Sequence, residues 1–274
     1  MKRLLFIIFL FVSLMGASGC STEPTPGGDD IEQARTSYSK GFYLEAEKEY
    51  EQYLQAAPQG IFRKEAWERL SEIAVTVKGE YDRAVILLEA MYLELGDDQE
   101  EGWKIMYQLG EVYSVLGNKP KAIESFEKCL LHAAEFPDKT TQTQLRMARL
   151  YRDMGNYGQV AATLQYCADS AENTDDKAQC LYELAQSYSF ISSWSQAKNA
   201  LESLLNLEGV SEETRALSIF LLADIYENDR NHAKARELLE SIVDTYPNRR
   251  VVESRLANLP DVPKKPIPLV PPKN

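Results

Sequence analysis

LGEVYSVLGNKPKAIESFEKC, residues Leu109–Cys129, decides the fold. Leu109, Gly110 and Tyr113 fall on one face of a helix, and Gly117-Asn118 interrupts it. Ala122, Phe126 and Cys129 then fall on one face of a second helix. The layout returns as Met147, Ala148, Tyr151, Gly155, Val160, Leu164, Cys167 and as Leu184, Ala185, Tyr188, Ser192, Ala197, Leu201, Leu204. Its last copy is Leu222, Ala223, Tyr226, Arg230, Ala235, Leu239, Ile242. Upstream, Ala46 and Ala84 extend the small second-helix position, which then recurs at Ala122, Val160, Ala197 and Ala235 with steps of 38, 38, 38, 37 and 38. Apolar spacing of three and four residues is the stripe of an amphipathic helix, and self-similarity at a fixed step marks a repeat array. The spacing predicts an all-α array of about six helix-turn-helix units over residues 30–259.

The residues carry their own packing logic. Gly110, Ala148, Ala185 and Ala223 are small where the first helix of a unit crosses the second, so the two axes can approach closely. Gly41, Gly79, Gly117 and Gly155 end first helices, where a left-handed backbone suits glycine. Asn118, Asn156 and Asn231 stand where they can cap the following helix. Unit one has Gln33 where leucine is expected. Unit two fits best from Trp67, Leu70, Ser71 and Ala74, one residue out of step with Gly79, so a slip or bulge is expected there. Arg250–Leu259 reads as a short helix that caps the open face of the last unit.

The pattern resembles the tetratricopeptide repeat over Asp30 to Leu259, which implies a right-handed solenoid with a C-terminal capping helix. The step near 38, with Tyr246-Pro247-Asn248 closing the last unit, resembles the periplasmic type found in outer-membrane barrel-assembly lipoproteins and Tol–Pal-associated coordinator proteins. At the N-terminus, Lys2 and Arg3 precede an apolar run, Leu4–Met15, that is short for a bilayer span. Ala17-Ser18-Gly19-Cys20 resembles a lipobox, with Ala17 where leucine is usual. The resemblance implies a signal peptide over 1–19, lipidation (a palmitate-type anchor) at Cys20, and location on the periplasmic face of the outer membrane. An ordinary secretory signal with an incidental cysteine is the other reading. Residues 20–29, with Pro, Gly and polar side chains, read as a flexible tether. Residues 260–274, PDVPKKPIPLVPPKN, hold six prolines and read as a disordered tail or as an extended docking strip.

First helices line the concave side in this family. The resemblance therefore points to a peptide groove built from Tyr107, Glu111, Arg149, Arg152, Tyr182, Gln186, Phe190 and Phe220, with Tyr38 and Asp224 also facing inward. Aromatic residues mixed with a few charges suit a bound peptide. Of the basic cluster that clamps a terminal carboxylate in some relatives, only Arg149 and Arg152 are candidates. Cys167 and Cys180 sit symmetrically about the loop Ser170–Lys177, at equal heights in an antiparallel pair. They are either a disulfide or two buried apolar thiols. Cys129 shares the core position of Cys167 and reads as packing.

The net charge of −12 excludes a phosphate-binding surface and so a nucleic-acid partner. With His132 and His232 the chain's two histidines, a metal or histidine-based catalytic site has almost no raw material. No phosphate loop, nucleophile triad or paired-cysteine spacing occurs. The expectation is a non-enzyme without cofactor, metal or small-molecule substrate. It is a membrane-anchored scaffold that binds envelope proteins or their peptide segments. A pilotin-like role in type IV pilus assembly and regulation of cell-wall enzymes are the alternatives.

Overall fold

A computed structural model describes residues 28–260. The expected signal peptide, Cys20, most of the tether and the tail beyond Pro260 lie outside the described residues. The chain divides between Leu70 and Ser71 into two compact units.

In the first unit, α1 (Gly28–Ser39) and α2 (Tyr43–Ala56) form an antiparallel hairpin, and most of α3 (Arg63–Glu72) follows. Helix α1 thus takes in the last two residues of the expected tether. Ala34 and Ala46 are fully buried where the hairpin closes, and Tyr50 and Tyr53 fill the space beside them. The Tyr53 hydroxyl accepts the Phe62 backbone N–H at 2.9 Å, which ties the loop after α2 to its own helix. Arg35 donates to both carboxylate oxygens of Glu65, at 2.8 and 2.5 Å, and its guanidinium lies 4.4 Å from the Phe62 ring centre. That two-pronged bond joins α1 to α3 more firmly than a single surface ion pair would.

The second unit contains a π-helical turn, Ile73–Lys78, then α4 (Tyr81–Leu95), α5 (Gln99–Val115), α6 (Lys119–His132) and α7 (Pro137–Asp153). It continues with α8 (Tyr157–Ser170), α9 (Thr174–Phe190), α10 (Trp194–Leu205), α11 (Glu212–Asn228), α12 (His232–Ser241) and α13 (Arg249–Asn258). The π turn sits where the repeat register slips by one residue, since a π turn takes one residue more than an α turn for the same hydrogen-bonded closure. It lets Ala74 stay buried while Gly79 still reaches the left-handed end of its helix, at φ 65°.

Each helix pair is built as its residues dictate. Gly117 and Gly155 adopt φ 73° and 71° at the breaks, with open space where a side chain would begin. In the last two pairs Ser192 and Arg230 take the same conformation, at φ 58° and 59°. Non-glycine residues pay about 1–2 kcal/mol of backbone strain there. Asn118, Asn156 and Asn231 cap α6, α8 and α12 by accepting the backbone N–H of Lys121, Gln159 and Lys234 at 3.3, 3.3 and 3.2 Å. The three repeated second-helix positions, from Ala46, Tyr50 and Tyr53 to Ala235, Leu239 and Ile242, are each at most 1% exposed. Burying a large side chain so completely stabilises by about 1.5–3 kcal/mol. The repeat stripe is therefore the core itself, and α13 completes it by placing Val252 against α12.

Candidate functional site

The first helices α5, α7 and α9 of the second unit lie side by side and share a cavity of about 280 Å³. Tyr107 lines it from α5; Asp138, Thr141, Gln142, Leu145, Arg146 and Arg149 from α7; Asp176 and Gln179 from α9. Tyr107 is held in place by rings, with Trp103 5.2 Å and Phe126 5.5 Å away between centres. The Trp103 indole N–H donates to the Thr143 hydroxyl at 3.0 Å, which fixes α5 against α7. Burial pushes the Tyr107 hydroxyl above its ordinary range, against an opposing hydrogen bond from Gln142. A half-buried phenol beside amide and charged groups offers stacking and hydrogen bonding to a peptide, and no reactive group.

A ladder of ion pairs runs along these helices. Arg146 grips Glu111 with its Nε and with a second nitrogen, the latter at 3.1 Å. Glu183 receives Arg149 at 3.0 Å and Arg152 at 2.8 Å, and Arg152 also donates to the Ser187 hydroxyl at 3.0 Å. Farther along, Arg255 of α13 pairs with Asp224 and Glu227 of α11. The residue two before the small crossing position of one unit thus meets the residue one after it in the unit before, and for Glu183 and Arg255 also the residue four after. Between α9 and α11 those positions are Gln186, Ser189 and Leu221, so that seam carries no charge pair in this register.

Of the residues expected in a peptide groove, Tyr107 and Arg149 line the cavity, and Glu111 and Arg152 brace its walls. Arg149 and Arg152, the two residues that hint at a carboxylate clamp without making up its basic cluster, are engaged by Glu183, so an incoming carboxylate would have to displace an internal one. Tyr182 and Gln186 bond to each other on α9, and burial pushes the Tyr182 hydroxyl upward. Phe220 stacks on Tyr246 at 4.6 Å. Phe190 stands at the far end of α9 from Asp176 and Gln179, 73% exposed, and stacks on Tyr157 of α8 at 5.7 Å. Arg146, Gln142 and Glu183 were not among the expected residues. Opposite charges at corresponding positions one repeat apart were the available signal.

Glu183 supplies a pH test. Burial alone would raise its carboxyl, but the Arg152 and Arg149 guanidiniums outweigh burial and hold it below the ordinary value of 4.5. A carboxyl lowered in the folded state contributes stability above its unfolded value, and loses it as pH falls through the folded one. Glu183→Gln should therefore lower stability by about 1 kcal/mol at neutral pH, since Arg149 stays half in water. The difference from the parent should shrink as pH falls below the ordinary 4.5 and vanish once it has passed the lower folded-state value. Urea titrations across pH measure this, and a difference that persisted unchanged in acid would contradict it.

Cys167 and Cys180 meet across the α8–α9 pair, with Cα atoms 5.8 Å and sulfurs 2.03 Å apart. Cys129 is fully buried, its thiol 3.4 Å from the Trp103 carbonyl, and burial pushes the thiol well above its ordinary range. A thiol so held is a packing group. Among the described residues no cluster of three or more His, Cys, Asp and Glu is arranged to hold a metal. Among them, too, no helix is long and apolar enough to cross a membrane.

Comparison with known proteins agrees with this geometry. Family models described as tetratricopeptide repeat match residues 104–131 and 217–249. Among solved structures, BtubC from P. vanneervenii is similar at 16% identity and a TM-score of 0.53, covering 90% of this chain and 96% of its own. The MamA protein is similar at 16% identity and a TM-score of 0.50, covering 74% and 99%. No curated protein matches the sequence. The fold is all-α and of the tetratricopeptide type. Such repeats are interaction scaffolds that bind peptides or proteins, and the matching models name no catalytic family.

Proposed function

We propose that this chain is a non-catalytic scaffold of the cell envelope, held to the outer membrane by lipid on Cys20, that binds a segment of another envelope protein along its first helices. The observation that carries the binding part is the cavity between α5, α7 and α9. A braced tyrosine, two glutamines and two aspartates, Asp138 and Asp176, converge there on a space of about 280 Å³. Glu111 balances Arg146, and Glu183 is shared by Arg149 and Arg152, so with Asp138 and Asp176 four acids meet three bases and the surplus at the cavity is negative. A segment carrying a lysine or arginine next to apolar side chains fits that surface. The envelope address rests on the sequence, from the basic start through the apolar run to Ala17-Ser18-Gly19-Cys20.

Affinity capture from envelope extracts tests the binding part. The parent should retain a partner that Tyr107→Ala combined with Gln142→Ala releases, a loss on the order of tenfold or more for a central aromatic anchor. Barrel-assembly components, pilus secretin or murein enzymes in the captured set would assign the envelope process. Equal retention by parent and variant would remove the cavity from the interface. Cys20→Ala tests the anchor separately. It should move the cleaved body from the membrane to the soluble fraction, because durable attachment needs more than one acyl chain. Membrane association that survived the substitution in a cleaved chain would refute the anchor.

A further inference from the structure

The charge ladder breaks at one seam of the second unit, and that seam is aromatic. Tyr182 of α9 and Phe220 of α11 hold the same repeat position, three residues before Ala185 and Ala223 on two helices in contact, and Phe220 stacks on Tyr246 at 4.6 Å. All three are half-buried, and the Tyr182 and Tyr246 hydroxyls are near enough to interact electrostatically. On the far side of Phe220 lies Arg255, its guanidinium 4.8 Å from the ring centre. Four residues later Leu259 is buried, and its carbonyl accepts Arg236 at 3.2 Å. The last residues of the array are thus fastened about one helical turn, or ~6 Å, beyond the side chain that covers Phe220.

What leaves from that point is Pro260–Asn274. Pro263 and Pro266, then Pro268 and Pro271, are spaced three apart, a spacing that would set each pair on one edge of a polyproline II helix. Aromatic-lined strips recognise such edges, because the segment is already extended and loses little entropy on docking. Residues 261–274 would reach ~43 Å at ~3.1 Å per residue, ample to fold back over α11 and α9. Lys264 and Lys265 suit the acidic array of a chain whose net charge is −12.

We propose that the proline-rich tail docks in cis on the aromatic strip formed by Tyr182, Phe220 and Tyr246, and so occupies part of the inner surface until a partner displaces it. The proposal rests on the reading of that surface as a binding face. A short tether supplies an effective concentration on the order of millimolar, so even weak docking is populated. A partner must then compete with the chain's own tail, which sets a threshold for binding.

The test needs no partner. A benzoyl-phenylalanine placed at Leu269 of the full chain is photolysed, and the cross-linked peptides are mapped by mass spectrometry. Intramolecular cross-links should concentrate on the peptides of α9 and α11 and on the segment with Tyr246. Pro263→Ala combined with Pro266→Ala, Pro268→Ala and Pro271→Ala lies outside the folded array and should cut their yield about tenfold. Tyr182→Ala should do the same while circular dichroism confirms a folded array. Cross-links spread evenly over the surface, or insensitive to the proline substitutions, would overturn the proposal. Cross-links formed only between isotopically distinct copies would overturn docking in cis. Failure of partner capture leaves this readout unaffected, so the two ideas fail separately.

Discussion

Phe126→Ala should be among the most damaging single substitutions in the second unit, lowering stability by about 3–5 kcal/mol. Its ring is fully buried, and it lies where α5 crosses α6 at Gly110. A Cβ on Gly110 would fall 2.7 Å from that ring, so glycine is what lets phenylalanine sit there at all. The ring also supports Tyr107 of the cavity, 5.5 Å away. Truncation therefore leaves a hole beneath the cavity's Tyr107 as well as within the core. Gly110→Ala gains helix propensity of about 1 kcal/mol but overpacks the crossing at about 1–3 kcal/mol. A net loss is expected, and Phe126→Leu in the same chain should recover part of it. The two sites touch, so their effects should not add. Thermal unfolding reads the loss, and hydrogen exchange should localise it to α5, α6 and α7. Unchanged protection in those helices after Phe126→Ala would contradict the packing described.

Reduction should weaken the α8–α9 pair by about 3 kcal/mol if Cys167 and Cys180 are bonded in the mature protein, the value for closing a loop of this length. The separation is 13 residues, and the Cα atoms lie 5.8 Å apart, inside the span of an unforced bridge. Labelling in denaturant without reductant should modify Cys129 and leave Cys167 and Cys180 unmodified. Three labelled thiols from Cys129, Cys167 and Cys180 would end the proposal. Cys167→Ala should reproduce the loss seen on reduction and make further reduction silent. Both cysteines are fully buried core residues, so each substitution to Ala removes packing as well as the bridge. Reduction leaves both side chains in place and measures the bridge, and any further loss in Cys167→Ala or Cys180→Ala measures packing.

Much of the fold could be read directly because a repeat states its core several times. One weak copy, such as Gln33 in unit one, is outvoted by the others. The slip in unit two was visible as Ala74 falling out of step with Gly79, and the π turn at Ile73–Lys78 is its physical form. The lining of the cavity was less legible. Tyr107 and Arg149 were expected to face inward from the repeat, and both line it. Arg146 and Glu183 escaped because a charged residue on an amphipathic helix looks solvated until its neighbour is known. Pairing across a seam depends on which helices lie side by side, and apolar periodicity within one helix does not report it. Phe190 shows the converse, since an inward register is not enough when the position lies at the turn end of its helix.

The ladder has a meaning for how the array can change. Glu111 faces a base on the next first helix, and Arg149 with Arg152 face an acid on the one after. The signs alternate, so successive units of the second body are not interchangeable parts. Excising the unit that carries α7 and α8 would keep the apolar stripe in register, yet would set Glu111 opposite Glu183. Like charges would then meet across a seam that now attracts. An evolving chain of this kind can lose a repeat without setting like charges together at the uncharged seam between α9 and α11. The order of its units is written in charge, beneath a hydrophobic pattern that would tolerate many orders.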